Sequence, residues 1–318
     1  MRPARYWSNT STATYTSCGS VSCSLNNTWD ELNTSQHGWG IDVRYSYMKA
    51  DTLRAGSKRI AADTTKDEVE NIHTTNRILA ATIDYATDEQ WGVSMYLPYV
   101  MRNRSHSVGG VGGLTGEVEK FKASALGDIN VIGRYRCALH EESNSSVGVK
   151  FGLKLNTGSR NVQFVAGTVP DEIRLQLGNG STDLILGVFW QLPTPGTSWS
   201  HFAQASLQKS INALPNFKPG NQINLDVGSR YLINKKFSGI FQVSAQRNSA
   251  DTGAAATVLP SGAASSGGRI FSATTGLSYA ITHDTQLYGL AQIPFYQSVN
   301  GEQLTSNLVF HIGLSRRF

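Results

Sequence analysis

From Gly38 onward the chain keeps one rhythm, in which apolar and polar side chains alternate through run after run. Alternation places every second side chain on the same face of an extended strand, so the pattern commits the chain to β-structure with two chemically different faces. In GWGIDVRYSYM, Trp39, Ile41, Val43, Tyr45 and Tyr47 share one face while Asp42, Arg44 and Ser46 share the other. ALGDINVIGRYRCAL repeats this, with Ile129, Val131, Tyr135 and Cys137 against Asp128, Asn130, Arg134 and Arg136. So do VGVKFGLKL, where Lys150 and Lys154 oppose Val147, Val149, Phe151, Leu153 and Leu155, and QINLDVGSRYLI, where Asp226 and Arg230 oppose Leu225, Val227 and Tyr231.

A soluble sandwich also alternates, and strand length and connection length separate the two cases. About twelve candidate strands lie near 39–50, 72–87, 91–104, 122–139, 146–157, 181–192, 199–212, 221–233, 237–249, 268–281, 285–298 and 304–318. Each reaches the roughly 9 to 11 residues that a tilted strand needs to cross a bilayer, beyond the roughly 5 to 6 usual in globular proteins. Short turns at 87–90, 140–145, 193–198, 234–236 and 282–284 alternate with longer links at 51–71, 105–121, 158–180, 213–220 and 249–268, and a briefer one at 299–303. Short turns on one rim and long loops on the other describe a transmembrane barrel, with the short rim in the periplasm. Strands cross lipid only when closure pairs every backbone amide, and an even strand count returns both ends to the short rim.

The expected fold is therefore all-β: a closed antiparallel transmembrane β-barrel of about twelve strands over residues 38–318, behind a polar extension at 1–37 that hangs in the periplasm or partly plugs the lumen. Composition agrees, since charged residues are 16%, against roughly 25% in soluble domains. No window offers the roughly 18 to 20 apolar residues of a spanning helix. The net charge of +5 is dispersed rather than gathered into a stripe, so nucleic acid is not an expected partner. The segment MRPARYWSNTSTATYTS is polar throughout and has no apolar export core, so either a signal precedes this numbering or the chain is not exported.

Several stretches are similar to a known group: LPYVMRNRS, ALGDINVIGRYR, FGLKLNTGS, GSTDLILGVFW and YGLAQIPFYQ, ending in GLSRRF. In this order they resemble the bacterial outer-membrane transporter family named for the MetA pathway of phenol degradation. The resemblance implies an outer-membrane barrel in the same broad category as channels for hydrophobic compounds, and the expected function is passive passage of small, hydrophobic or aromatic molecules; from the residues themselves neither catalysis nor a cofactor is expected. It also implies that the aromatic-terminated last strand, ending in Phe318, is read by the barrel-assembly machinery. Family members tend to carry an aromatic residue two before that Phe, where this chain has Arg316.

Strand parity turns Arg44, Arg102, Arg104, Arg134, Arg136, Lys150, Lys154, Arg230 and Arg317 into the lumen, together with Asp42, Asp84, Asp128, Asp183 and Asp226. Two roles are open for this set: an ion-pair lattice that braces the wall, or a constriction favouring anionic or hydrogen-bonding solutes. Pro98 and Pro294 cannot donate to a ladder, so each marks a break in pairing: a bulge, or a lateral path from lumen to lipid. Cys18 and Cys23 read as a small disulfide loop, with metal binding or redox exchange as alternatives, and Cys137 as an apolar filler facing lipid. His106–Ser107 and His283–Asp284 are partial catalytic groups without an orienting third member, so no catalytic residue and no metal site is expected. The rival to a channel is an anchoring barrel that engages a periplasmic protein through the amino-terminal segment.

Overall fold

The computed structural model describes residues 12–14, 26–28, 38–61, 70–88, 90–107, 118–140, 145–160, 176–194, 196–253 and 266–318. Twelve strands close into one antiparallel barrel: β1 (Gly38–Ala55), β2 (Glu70–Ala86), β3 (Trp91–Ser107), β4 (in two pieces, Val118–Leu126 and Ile129–His140), β5 (Ser145–Leu155), β6 (Thr182–Pro193), β7 (Trp199–Asn212), β8 (Gln222–Leu232), β9 (Phe237–Asn248), β10 (Gly268–Ala280), β11 (Thr285–Val299) and β12 (Glu302–Arg317). Each pairs with its chain neighbour, and β12 returns to β1 from Glu302↔Ala55 to Arg317↔Gly40. The fold thus leaves no lipid-facing sheet edge at the point where the chain ends meet. A separate two-stranded ladder joins Thr12–Thr14 to Asn26–Thr28, and a short pairing of Arg54 and Ala55 with Lys58–Arg59 extends β1 above the wall.

The faces are inverted relative to a soluble protein. Along β1, Asp42, Arg44 and Ser46 are buried, while Trp39, Ile41 and Val43 are exposed on the outer surface. Lipid supplies the missing cover for that apolar face, which is why its exposure is not a defect here. At the short rim the outer face carries four cross-strand aromatic pairs of nearly equal geometry: Trp39–Tyr85, Trp91–Tyr135, Trp199–Tyr231 and Phe237–Tyr279, with ring centroids 4.6 to 4.8 Å apart. Amphipathic rings favour the headgroup level, so these pairs form an aromatic girdle at the short-turn rim. Arg316 stays on the outer face and lays its guanidinium 4.9 Å from the Phe318 ring.

Two places depart from a uniform ladder. The single strand expected at 122–139 is interrupted at Gly127–Asp128, and lumen parity passes from Ala123 before the break to Asn130, Ile132 and Arg134 after it. β5 pairs with the second piece of β4, from Ile129↔Leu155 downward. The second departure is at β11, whose ladder to β12 runs from Thr285↔Arg316 to Gln292↔Val309; Ile293–Val299 stays paired with β10 across a register shift at Phe271/Ser272, and the Val299 amide donates to the Gly56 carbonyl at 3.0 Å.

Candidate functional site

Near the short rim, a ring of charge is assembled from the two ends of the chain. The Tyr288 hydroxyl donates to both carboxylate oxygens of Asp42, at 3.0 and 2.9 Å, reaching from β11 across β12 to β1. It passes over Gly313, where a Cβ would collide with the Tyr288 ring, so only glycine fits beneath it. Arg44 lies beside Asp42 and His311, and His311 Nδ1 is 2.8 Å from Ser46 Oγ. Ser94 donates to Asp84, which also faces Arg317 and Arg134. Arg134 lies across Gly92, another position whose missing side chain makes room for a guanidinium.

Further round the lumen a relay joins side chains of four strands. Lys150 on β5 donates to Gln204 Oε1 on β7 at 3.1 Å, and Gln204 Nε2 donates to Asp226 Oδ2 on β8 at 3.0 Å. From β9, Gln242 Nε2 donates to Asp226 Oδ1 at 3.0 Å. Lys150 and Asp226 are thus joined through neutral amides rather than by direct contact. That arrangement satisfies two buried charges while spreading them along the wall.

A third node pins chain inside the barrel. Lys154 Nζ sits 3.2 Å from Asp128 Oδ2 and 3.1 Å from Asp183 Oδ2, and it also donates to Asn179 Oδ1 and, at 3.1 Å, to the Ser181 carbonyl. Asp128 in turn accepts from the Gly158 and Asn179 amides at 2.9 and 3.2 Å. Residues 176–181 consequently fold into the lumen, and Leu177, 1% exposed, packs with Ile78, Tyr96, Val100 and Ala123.

This packing creates an apolar sector in an otherwise polar interior. A recess of about 60 Å³ lies there, with Met48, Ile78, Tyr96, Pro98, Val100 and Leu177 on its apolar wall. Arg102, Asp128, Asn130 and Lys154 border it on the polar side. Asn130 Oδ1 is buried without a hydrogen-bond partner. Arg102 Nε donates to Asn76 Oδ1 at 2.7 Å. The recess abuts the interruption in β4, where the Gly127 amide donates to the Pro98 carbonyl at 2.9 Å.

The remaining expected positions fall as follows. Arg104, Arg230 and Arg317 are buried in the lumen, and Arg136 is half-buried near the short rim. Pro98 sits where β3 changes partner between the two pieces of β4, and Pro294 sits at a bulge that leaves Phe295 between Phe271↔Tyr296 and Ser272↔Pro294. Cys18 and Cys23 lie outside the described residues, as do the side chains of His106 and Ser107. Cys137 is a free, half-buried thiol. His283 Nδ1 is 2.8 Å from Asp284 Oδ1 in an exposed turn. Among the described residues no three His, Cys, Asp or Glu side chains converge as a metal site. Sequence reasoning missed the neutral members of the lattice, Gln204, Gln242 and Tyr288, and the apolar sector. The signal for the sector was present at Ile78 to Ile83, where both parities are mostly apolar.

Comparisons with known proteins agree with this architecture. The family model described as "Putative MetA-pathway of phenol degradation" matches residues 63–307. Among solved structures, the chain is similar to the COG4313 outer membrane channel from Pseudomonas putida F1, with 13% identity, a TM-score of 0.62, and coverage of 89% of this chain and 96% of that one. Weaker likenesses are to the transport unit of the autotransporter AIDA-I from Escherichia coli (10% identity, TM-score 0.48, 94% and 95% covered) and to the toluene transporter TodX from Pseudomonas putida (12%, 0.45, 98% and 96%). Among curated proteins none matches.

Proposed function

The chain belongs to the family described for the MetA pathway of phenol degradation, and we propose that it is a passive channel of the bacterial outer membrane for small hydrophobic or aromatic molecules. The observation that carries this reading is the apolar recess of Ile78, Tyr96, Val100 and Leu177, set into a polar lumen beside a break in the wall. An aqueous ion pore has no use for such a patch, whereas a solute with an apolar body gains from every Å² it buries there. In this reading a lateral exit from the recess toward lipid would pass at Pro98, where β3 changes partner between the two pieces of β4, and Pro294, at a bulge, is the second candidate place in the wall. The charges at Asp42, Arg44, Asp84, Arg134, Lys150, Asp226 and Arg230 then have two compatible roles, bracing the wall and screening solutes that enter the lumen.

The test is a pair of measurements on one protein. In planar bilayers and in liposomes, Val100→Trp fills the recess from its apolar wall and replaces no charged residue. Uptake of a small neutral aromatic should fall severalfold while ion conductance stays near wild type. Uptake unchanged by the filling would overturn the recess as the path. The rival, an anchoring barrel, draws on the inward segment 176–181 held by Lys154, and it predicts neither conductance nor uptake from a correctly folded wild-type protein.

A further inference from the structure

The outer face carries, besides its aromatic girdle, a level of cations. On β9 the outward residues run Phe237, Gly239, Phe241, Val243, Ala245 and then Arg247; on β10 they run Tyr279, Leu277, Thr275, Ala273, Phe271 and then Arg269. Arg247 and Arg269 are Cα partners in the ladder, so two positive side chains stand directly opposite each other on the lipid side. Like charges in that position oppose pairing unless something lies between them. Among the described residues neither arginine has a hydrogen bond or ion pair. The connection above them, 249–267, holds a single carboxylate, Asp251. That side chain is buried and accepts from the Gly220 amide at 2.8 Å.

Depth identifies what supplies the missing anion. Arg247 stands ten positions above Phe237, and Arg269 ten above Tyr279 on the descending count. Ten residues rising about 3.4 Å each, on a strand tilted by about 40°, climb about 26 Å, the height of the apolar band of an outer-membrane barrel. With the aromatic girdle at the periplasmic boundary, the arginines stand at the opposite boundary, among the outer-leaflet headgroups. Lys209, ten positions above Trp199, reaches the same level on β7.

We propose that Arg247 and Arg269 form a binding site for the phosphate of an outer-leaflet lipid headgroup. Two guanidinium forks face to face match the geometry of a phosphate, which takes paired N–H···O bonds from each and removes the repulsion between them. Ile223 and Phe271 beside the pair leave apolar surface for the lipid's chains.

The experiment titrates the purified full-length chain with lipopolysaccharide and reads binding by native mass spectrometry, alongside the temperature at which the folded gel band is lost. Arg247→Gln with Arg269→Gln should weaken binding about tenfold, the loss of roughly one charge-assisted contact or more. Lys209→Gln should leave binding within about twofold, since the site is the pair and not the belt. Enzymatic removal of the lipid phosphates should erase the difference between wild type and the double variant. Equal binding by the double variant, with its folded band intact, overturns the site; so does an equal loss in Lys209→Gln. If the glutamine pair fails to fold, Arg247→Lys with Arg269→Lys serves in its place and should show a smaller loss, and full wild-type affinity there counts against fork recognition. Competition by inorganic phosphate at equal concentration would overturn the lipid assignment in favour of a free-anion site.

Discussion

Lys154 illustrates how one side chain can organise a barrel interior. Its ammonium bridges Asp128 and Asp183 and holds residues 179 and 181 against the wall. Removing it leaves two buried carboxylates facing each other, so Lys154→Met should lower the barrel's stability by about 3 kcal/mol in urea titrations. Adding Asp128→Asn and Asp183→Asn to that variant should recover part of the loss, because the uncompensated charge is what costs. A milder case is Tyr288→Phe, which deletes the donor to Asp42 without opening a cavity and should cost about 1.5 to 3 kcal/mol by the same measurement. At this scale parity alone was enough to place Asp42, Arg44, Lys150, Lys154 and Asp226 in the lumen, since a charge on a lipid face carries a cost that a sequence displays. Gln204, Gln242 and Tyr288 were silent because a neutral amide or phenol is tolerated on either face. Their partners lie in other strands, Gln204 and Asp226 being 22 positions apart and Tyr288 and Asp42 246 apart.

Strands were legible as lengths and parities, but not as ladders. Alternation runs unbroken through residues 122–139 to the eye, yet Gly127–Asp128, a turn-forming dipeptide, splits β4 and shifts its parity. The break is hard to see because the first piece carries no strong pattern, with Lys122, Ser124 and Leu126 outward and only Ala123 and Ala125 inward. In the same way Pro294 announced a break, but not that β11 would stop pairing with β12 above Gln292↔Val309. There side chains substitute for the ladder: Gln297 Nε2 donates to the Ser306 carbonyl at 2.6 Å, and Arg54 Nε donates to Gln297 Oε1 at 3.0 Å. The amides between Ile293 and Ser298 that face β12 should therefore exchange with deuterium faster than those facing β10, when followed by mass spectrometry of the reconstituted barrel. Uniform protection along β11 would mean that the seam is closed in the membrane. Gln297→Ala should widen the contrast by removing the substitute bond.

At the scale of the whole molecule, the twelve-strand count and the even return to one rim came from turn lengths, whereas closure itself is a contact between distant parts of the chain. Met48 and Val309 are Cα partners in the β1–β12 ladder although 261 positions separate them. Nothing local brings such residues together, so their meeting depends on every strand between them being placed. Cα partners in an antiparallel ladder lie about 4.5 to 5.5 Å apart, inside the window of about 4.4 to 6.8 Å in which a disulfide forms without moving the backbone. Met48→Cys with Val309→Cys, in a background where Cys18, Cys23 and Cys137 are replaced by Ser, should oxidise spontaneously in membranes. The boiled, unreduced protein would then be a nearly closed covalent ring with a gel mobility unlike that of its reduced form. A one-strand offset control, Met48→Cys with Gln292→Cys, should stay reduced, since Gln292 pairs with Val309 and lies beyond it from β1. If the control cross-links as readily as the test pair, or the test pair stays reduced in a folded band, the seam is not where the ladder places it. The linked ring should also retain its folded band to a higher temperature than the reduced protein, because opening between the first and last strands would no longer separate them.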